Sequence, residues 1–394
     1  MASLRTISSR RLIAGIGGVV VLAVAGVSVG SALQGANPPA PQPLADALHQ
    51  AAVGAKPTGI TADVTFTNNL LSSAGLPGGD PLMSGASGRM WISAAGDLRI
   101  ELQSSGGGSP DSQILATKSE ITVYDGTQNT VYKIALPASS STPTTTTPSN
   151  GIPTVAAIQS KLNELAAHLN VSGAIPGAAG GVPSYSVKIS PQHDGGLLGN
   201  AELAWDASNG VPLGVSVYST TDPSTPVLAL RVNDISYGPV DASALQISPP
   251  ANAKVVDVPL PPKSTKSSTT TKTAPVTGLA AVQSQVAFTI KAPATVDGLP
   301  QHQVRLVDWK GQKAALVLYG QGLGGIAVLE RATTTSPPNA TITQLPSVKV
   351  AGVSGHELAT PLGTVVAFTK GGVNFIVAGS VSQLAAETAA GALS

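Results

Sequence analysis

Residues 201–250 constrain the fold of this chain more tightly than any other stretch. In AELAWDASNGVPLGVSVYS, Leu203 and Trp205 alternate with polar or small neighbours. Asn209-Gly210 supplies a turn, and Val211, Leu213, Val215 and Val217 resume the period of two. The segment PVLALRVNDISYGPVDASALQISPP follows and contributes Leu228 and Leu230. Successive side chains of a strand point to opposite faces, so this alternation builds one apolar face and predicts a long antiparallel meander.

The preceding 150 residues carry the same signature. Leu44 to Val53 has apolar residues at helical spacing and predicts an amphipathic helix. Strands are expected at 60–67 (Val64, Phe66), 88–93 (Met90, Ile92) and 97–103 (Leu98, Ile100, Leu102), with Arg99 and Glu101 on the opposite face. Further runs at 113–116 and 120–124 (Ile121, Val123) lead through Asp125-Gly126 into 129–136, where Tyr132 and Ile134 keep register. A central helix over about 155–169 aligns Ile158, Leu162, Leu165, Ala166 and Leu169 in one stripe, which should close over the sheet.

Composition limits what such a sheet can do. The 394 residues carry a net charge of +1, which implies no nucleic-acid or acidic-surface partner. Aromatic residues make up 3% of the chain, so Val, Ala, Leu and Ile must build the cores. Cysteine is absent, which removes disulfides, thiolate metal sites, cysteine nucleophiles and the lipidated cysteine of an anchored lipoprotein.

Attachment to a membrane therefore falls to the N-terminus. Arg5, Arg10 and Arg11 in residues 1–11 precede an uncharged run through residues 12–31. That run is a transmembrane signal anchor or a signal peptide, and cleavage after Ala32 is the secreted alternative. The arginines hold the start of the chain in the cytoplasm, so the bulk is expected outside the cell membrane as a single-pass protein. Residues 32–43 form a proline-rich spacer.

The order of helix, meandering strands, central helix and closing strands resembles the lipoprotein-carrier superfamily of LolA-, LolB- and RseB-like proteins. Trp205, Asp206, Gly210, Pro212, Asp234, Tyr237, Asp241, Ile247, Pro249 and Pro250 carry the match in the second half. Trp91, Arg99, Tyr124, Asp125, Gly126 and Tyr132 carry it in the first. The resemblance implies a domain over residues 44–258 whose curved sheet holds acyl chains. Residues 137–150, a Ser/Thr/Pro run, depart from the pattern and read as a disordered insert.

A linker of Pro, Ser, Thr and Lys at 259–277 precedes a second domain over 278–394. Its strands are expected at 303–307, 314–319, 325–330, 349–353, 355–358, 364–369 and 373–379, with a last helix near 382–393. Gly298, Leu299, Pro300, Tyr319, Gly322, Leu323, Gly352, Gly355 and Gly379 resemble the C-terminal domain of RseB-like periplasmic regulators. The glycine-rich 319–325 run joins two strands rather than a strand to a helix, so it offers a phosphate no helix N-terminus.

Nothing in the chain points to catalysis or to a metal or cofactor. The histidines His49, His168, His193, His302 and His356 are scattered, and no nucleophile elbow or paired-carboxylate motif stands out.

The fold class expected is α+β, an N-terminal curved antiparallel sheet forming an unclosed barrel covered by helices, plus a smaller α+β domain. The cavity lining expected is Val64, Phe66, Met90, Ile92, Leu98, Ile100, Leu102, Ile121, Val123, Tyr132, Ile134, Ile158, Leu162, Leu165, Leu203, Trp205, Leu213, Val215, Val217, Leu228 and Leu230. The function expected is non-enzymatic binding of a lipid or acylated protein at the cell envelope. The alternatives are an envelope-stress sensor that regulates an anti-sigma factor, as the RseB resemblance implies, and a structural envelope protein with a fully packed sheet.

Overall fold

A computed structural model describes residues 36–70, 85–104, 112–136, 153–192, 194–258, 276–309, 311–333, 345–350 and 352–393. The basic segment, the apolar run, the 137–150 insert, His193 and most of the linker lie outside these residues. Among the described residues no helix is long and apolar enough to cross a membrane.

Helix α1 spans Leu44–Val53 and is followed by strands β1 (Gly59–Asn68), β2 (Ala86–Ser93), β3 (Leu98–Ser104), β4 (Ser112–Ala116), β5 (Glu120–Asp125) and β6 (Thr130–Ala135). Helix α2 (Val155–Leu165) leads to β7 (Leu169–Val171), β8 (Ile175–Ala179), β9 (Val182–Pro191), β10 (Leu198–Asp206), β11 (Pro212–Ser219) and β12 (Pro226–Tyr237). A short 3-10 turn at Ala242–Leu245 and strand β13 (Lys254–Asp257) complete this part. The strands form one sheet in the order β13-β6-β5-β4-β3-β2-β1-β12-β11-β10-β9-β7, with β8 paired to β9. Neighbouring pairs are antiparallel apart from β13 on β6.

The sheet curls. The turn joining β8 to β9 reaches two strands past its partner β10, where the Gly180 carbonyl accepts the Ile235 N–H of β12 at 3.2 Å. Gly180 there faces the side chains of Val232, Ile235 and Leu213.

A second sheet contains β14 (Thr295–Val296), β15 (Leu299–Trp309), β16 (Gln312–Tyr319), β17 (Ile326–Ala332), β18 (Ser347–Val350), β19 (Val353–Thr360), β20 (Gly363–Lys370) and β21 (Val373–Gly379). Its order is β14-β15-β16-β17-β21-β20-β19-β18. Helices α3 (Leu279–Gln283) and α4 (Gln383–Gly391) accompany it. Val317, Val328, Val366, Phe368, Phe375 and Val377 form the centre of its core, and the Phe368 and Phe375 rings stack with centroids 4.9 Å apart. Against them α4 buries Ala386, Ala389 and Ala390, small residues that let the helix sit close to the sheet.

The described residues are therefore mostly strand with few helices, and those of the first sheet cover one end of it only. Helix α1 packs Leu44, Ala47 and Ala51 with Tyr185 and Val187 of β9 and Trp205 of β10. Helix α2 buries no residue, and Leu165, expected in the sheet-facing stripe, is 47% exposed. The physical reason is occupancy: α1 already fills the apolar end of the sheet, so α2 lies against α1 and lends only Leu162 to that cluster. The helix expected through 169 ends at Leu165, and Leu169 opens β7 and pairs with Pro191 of β9.

Candidate ligand-binding face

The register of the first sheet brings most of the expected lining to one face. From β1 outward, Ile60 pairs with Ile92, Ala62 with Met90 and Phe66 with Ala86. The next pairs are Ile92 with Leu98, Met90 with Ile100 and Gly88 with Leu102. Ile114 then joins Ile100 to Val123, and Val123 pairs with Tyr132 as Ile121 does with Ile134. In the other direction Phe66 pairs with Leu230, Leu230 with Val215, and Leu228 with Val217. Val215 pairs in turn with Leu203, and Leu203 with Val187, while Trp205 pairs with Tyr185. Because side chains alternate along every strand, these pairs share one continuous apolar surface from β6 to β9.

A register shift keeps that surface unbroken along β12. Val64 pairs with Val232 while Asp63 pairs with Asp234, so Asn233 is left as the extra residue of a bulge. Leu228, Leu230 and Val232 point inward at even positions and Ile235 at an odd one. Without the bulge Ile235 would turn to the outer face.

Burial divides the face into three parts. Along β2 to β6 it is a packed core, where Ile100, Leu102, Ile114, Ile121, Val123, Tyr132 and Ile134 are all buried. At the β9–β10 end α1 covers it, with the Tyr185 and Trp205 rings 6.2 Å apart. Between them, near the upper ends of β10, β11, β12 and β1, Leu203, Val215, Val217, Leu228, Leu230 and Phe66 are only half-buried. Six apolar side chains that share a sheet face and stay partly open form an apolar patch.

Of the expected lining residues of α2, Ile158 and Leu165 are not brought onto this surface, and Leu162 reaches only the cluster at its α1-covered end. Several members of the face were not expected: Ala62, Ile114, Tyr185, Val187, Val211, Val232 and Ile235. The alternation of Tyr185, Val187 and Ile189 could have revealed β9. Ile235 could not have been found by period alone, because the bulge breaks the period.

A polar hinge fixes α1 at its end of the face. Asp206 is buried and its carboxylate accepts from Ser208, Asn209 and the Tyr237 hydroxyl. Burial, reinforced by the Asp206 carboxylate, pushes the Tyr237 hydroxyl well above its ordinary range, so it stays protonated as a donor. Gly210, at φ +71°, closes this turn beneath Ala51, the last turn of α1. Lys56 Nζ then donates to the carbonyls of Ala51 and Asn209 at 3.0 and 2.9 Å, joining helix to turn.

On β2 and β3 the outer face is polar, whereas on β10 and β12 it buries Ala204, Val227 and Ala229. Arg99 lies 4.9 Å from the Trp91 ring centroid, while its guanidinium donates to Glu101, Gln113 and the Ala244 carbonyl. A cleft of about 490 Å³ beside it is lined by Asp63, Ser87, Arg89, Trp91, Glu101 and Gln103. Among the described residues no three His, Asp or Glu side chains are placed to hold a metal ion.

The two sheets touch through the β9–β10 loop. The Leu197 N–H donates to both the carbonyl and the hydroxyl of Ser380, at 2.9 and 3.0 Å. Leu198, next in the chain, pairs with Ser219 at the upper end of β11, so this contact lies at the rim of the open patch.

No family model matches the chain, and no curated protein matches it. Among solved structures it is similar to MucB in the Pseudomonas aeruginosa MucA/MucB complex, at 14% identity and a TM-score of 0.41 over 88% of this chain and 96% of that one. A second structure, MucB in complex with MucA(peri), is similar at 15% identity and 0.39 over 88% and 97%. A LolA superfamily protein from Nitrosomonas europaea is similar at 9% identity and 0.21 over 52% and 98%.

Proposed function

We propose that the chain is a non-enzymatic, extracytoplasmic lipid- or lipoprotein-binding protein, tethered by its N-terminal apolar segment, that seats acyl chains on the open part of the first sheet. One observation carries the reading: Phe66, Leu203, Val215, Val217, Leu228 and Leu230 form a half-buried apolar patch on the inner face of a curled sheet. A packed structural module would bury that patch as it buries Ile100 and Tyr132. Each methylene an acyl chain buries there contributes about 0.8 kcal/mol, so a long chain binds without a strong polar contact. The packed β2–β6 half limits the site to the β10–β1 side. Native mass spectrometry with lipid extraction tests the reading: stoichiometric co-purified or added lipid supports it. A mass free of lipid after exposure to phospholipid, fatty acid and lipopeptide removes it.

A second reading is favoured by the Leu197–Ser380 contact at the rim of the patch. In it, occupancy of the patch alters how the second domain is held, and the pair acts as a sensor for a membrane partner such as an anti-sigma factor. Crosslinking between the two domains, measured with and without lipid, separates it from simple carriage.

A further inference from the structure

One face of the second sheet is core, and the other is an apolar surface that neither helix covers. Helices α3 and α4 both bury their side chains in the same core, Val282 on one and Ala386, Ala389 and Ala390 on the other. The strand residues between the core ones point the opposite way. There Leu316 pairs with Leu329 and Leu329 with Ile376, while Leu318 pairs with Ala327 and Val365 with Leu358. Leu329 is 8% exposed and the others are half-buried. They form a second apolar patch, separate from the acyl-chain patch of the first sheet.

Charge is sorted between the two faces. Arg305 pairs with Leu316, Arg331 stands two residues beyond Leu329, and Lys349 alternates with Val348 and Val350 of the core, so all three cations belong to the apolar patch's side. None of them has a carboxylate partner among the described residues, and the Arg331 Nε is buried without a hydrogen bond. The carboxylates described in this part lie elsewhere. Glu330 and Glu357 pair with the core residues Phe375 and Val366, and Asp308 alternates with Val304 and Leu306 on the core side. Glu387 is on α4, and Asp297 is in the turn between β14 and β15. The chain's net charge of +1 conceals this separation. Trp309, 37% exposed, follows Arg305 on the same side of β15.

We infer that this face of the second sheet docks on an anionic lipid surface, with its apolar rows at the interface and Arg305, Arg331 and Lys349 against the headgroups. Strand β15 is second and β18 eighth in the sheet, so Arg305 and Lys349 lie six strand spacings apart, about 29 Å along it. A broad anionic surface meets charges that far apart at once, and each cation close to it strengthens binding about fivefold. The membrane interface also takes an indole ring, apolar in its body and polar at its N–H. A second copy of this face would set like charges against each other, which works against a symmetric pair. The docking does not require the patch of the first sheet to hold a lipid.

The chain has no cysteine, so a single one can carry an environment-sensitive dye such as NBD. Thr369→Cys places it on this face, exposed and paired with Asn374. Lys313→Cys, exposed and paired with Asp308 on the opposite side, is the control. The full chain is reconstituted into phosphatidylcholine vesicles with or without phosphatidylglycerol. The dye at 369 should brighten and shift to the blue only with phosphatidylglycerol, and high salt should reverse the change. The dye at 313 should emit alike in both. Arg331→Gln together with Lys349→Gln should lower the ratio of docked to undocked protein about 30-fold. Equal emission of the 369 dye in the two lipids overturns the inference, as does a full response in the doubly neutralised protein. Brightening by an added acidic amphipathic peptide, with none from the anionic lipid, also overturns it and assigns the face to a protein partner. Should the doubly neutralised protein fail to fold, the comparison of the two lipids decides alone.

Discussion

Glu330 of β17 is a carboxyl group with no exposed surface in the core of the second domain, and it yields a sharp prediction. Its Oε2 accepts the Lys291 N–H at 2.9 Å, while Oε1 has no partner. Burial pushes it up to about 7 from 4.5, offset only in part by the Lys291 N–H. The raised value makes ionisation a cost to the folded state. Below about pH 4.5 the group is neutral folded or unfolded and costs nothing. Between 4.5 and 7 the unfolded chain releases its proton first and stability falls, and above about 7 the loss is complete. The interval corresponds to about 3 kcal/mol. Glu330→Gln keeps an acceptor for Lys291 and removes the titration. Urea denaturation of wild type and variant at pH 5 and pH 8, followed by a signal from the second domain, should give similar midpoints at pH 5. At pH 8 the variant should be more stable by about 2–3 kcal/mol. Other carboxyl groups, Glu357 among them, cancel in the comparison. A stability difference that does not change with pH would refute the reasoning.

Other substitutions probe the first sheet. Gly210→Ala would place a Cβ 2.7 Å from the Ala51 carbonyl oxygen at a φ of +71°, so it should destabilise the α1 end of the sheet by about 2–4 kcal/mol, read as a lowered unfolding midpoint. Arg99→Leu removes the Trp91 stacking and the bonds to Glu101, Gln113 and Ala244, and thermal melts should show a loss of about 1–3 kcal/mol. Ile100→Trp overfills a position that is 5% exposed, so its effect should appear as about 1–3 kcal/mol of lost stability, with any ligand still bound by the folded fraction.

Much of this architecture was legible because period two is a strong signal where one face of a strand is buried. Helix α1 and strand β21 lie at the residues expected, and β1 to β6 differ from expectation by one or two residues at their ends. The losses have particular causes. Strands β7 to β9 follow a helix whose apolar stripe runs on in sequence to Leu169, and Gly173, Gly180 and Gly181 interrupt their alternation. The α2 stripe of Ile158, Leu162 and Leu165 satisfied helical spacing, yet spacing cannot say which of two helices reaches the sheet first. Small residues of α1, Ala47 and Ala51, let that helix sit closer. The division of the inner face into packed and open parts was not legible at all. Ile100 and Val215 occupy equivalent places in their alternations, yet Ile100 is buried and Val215 only half-buried.

The most direct test of lipid binding on the open patch compares lipid retention in wild type and Val217→Trp by native mass spectrometry. Val217 is half-buried and pairs with Leu228 at the centre of the patch, so an indole there fills the site without disturbing the packed half. The account predicts one or more acyl-chain ligands on wild type, and loss of most of them from a variant with an unchanged unfolding midpoint. Equal lipid occupancy in the two folded proteins, or none in either after incubation with lipid, would contradict it.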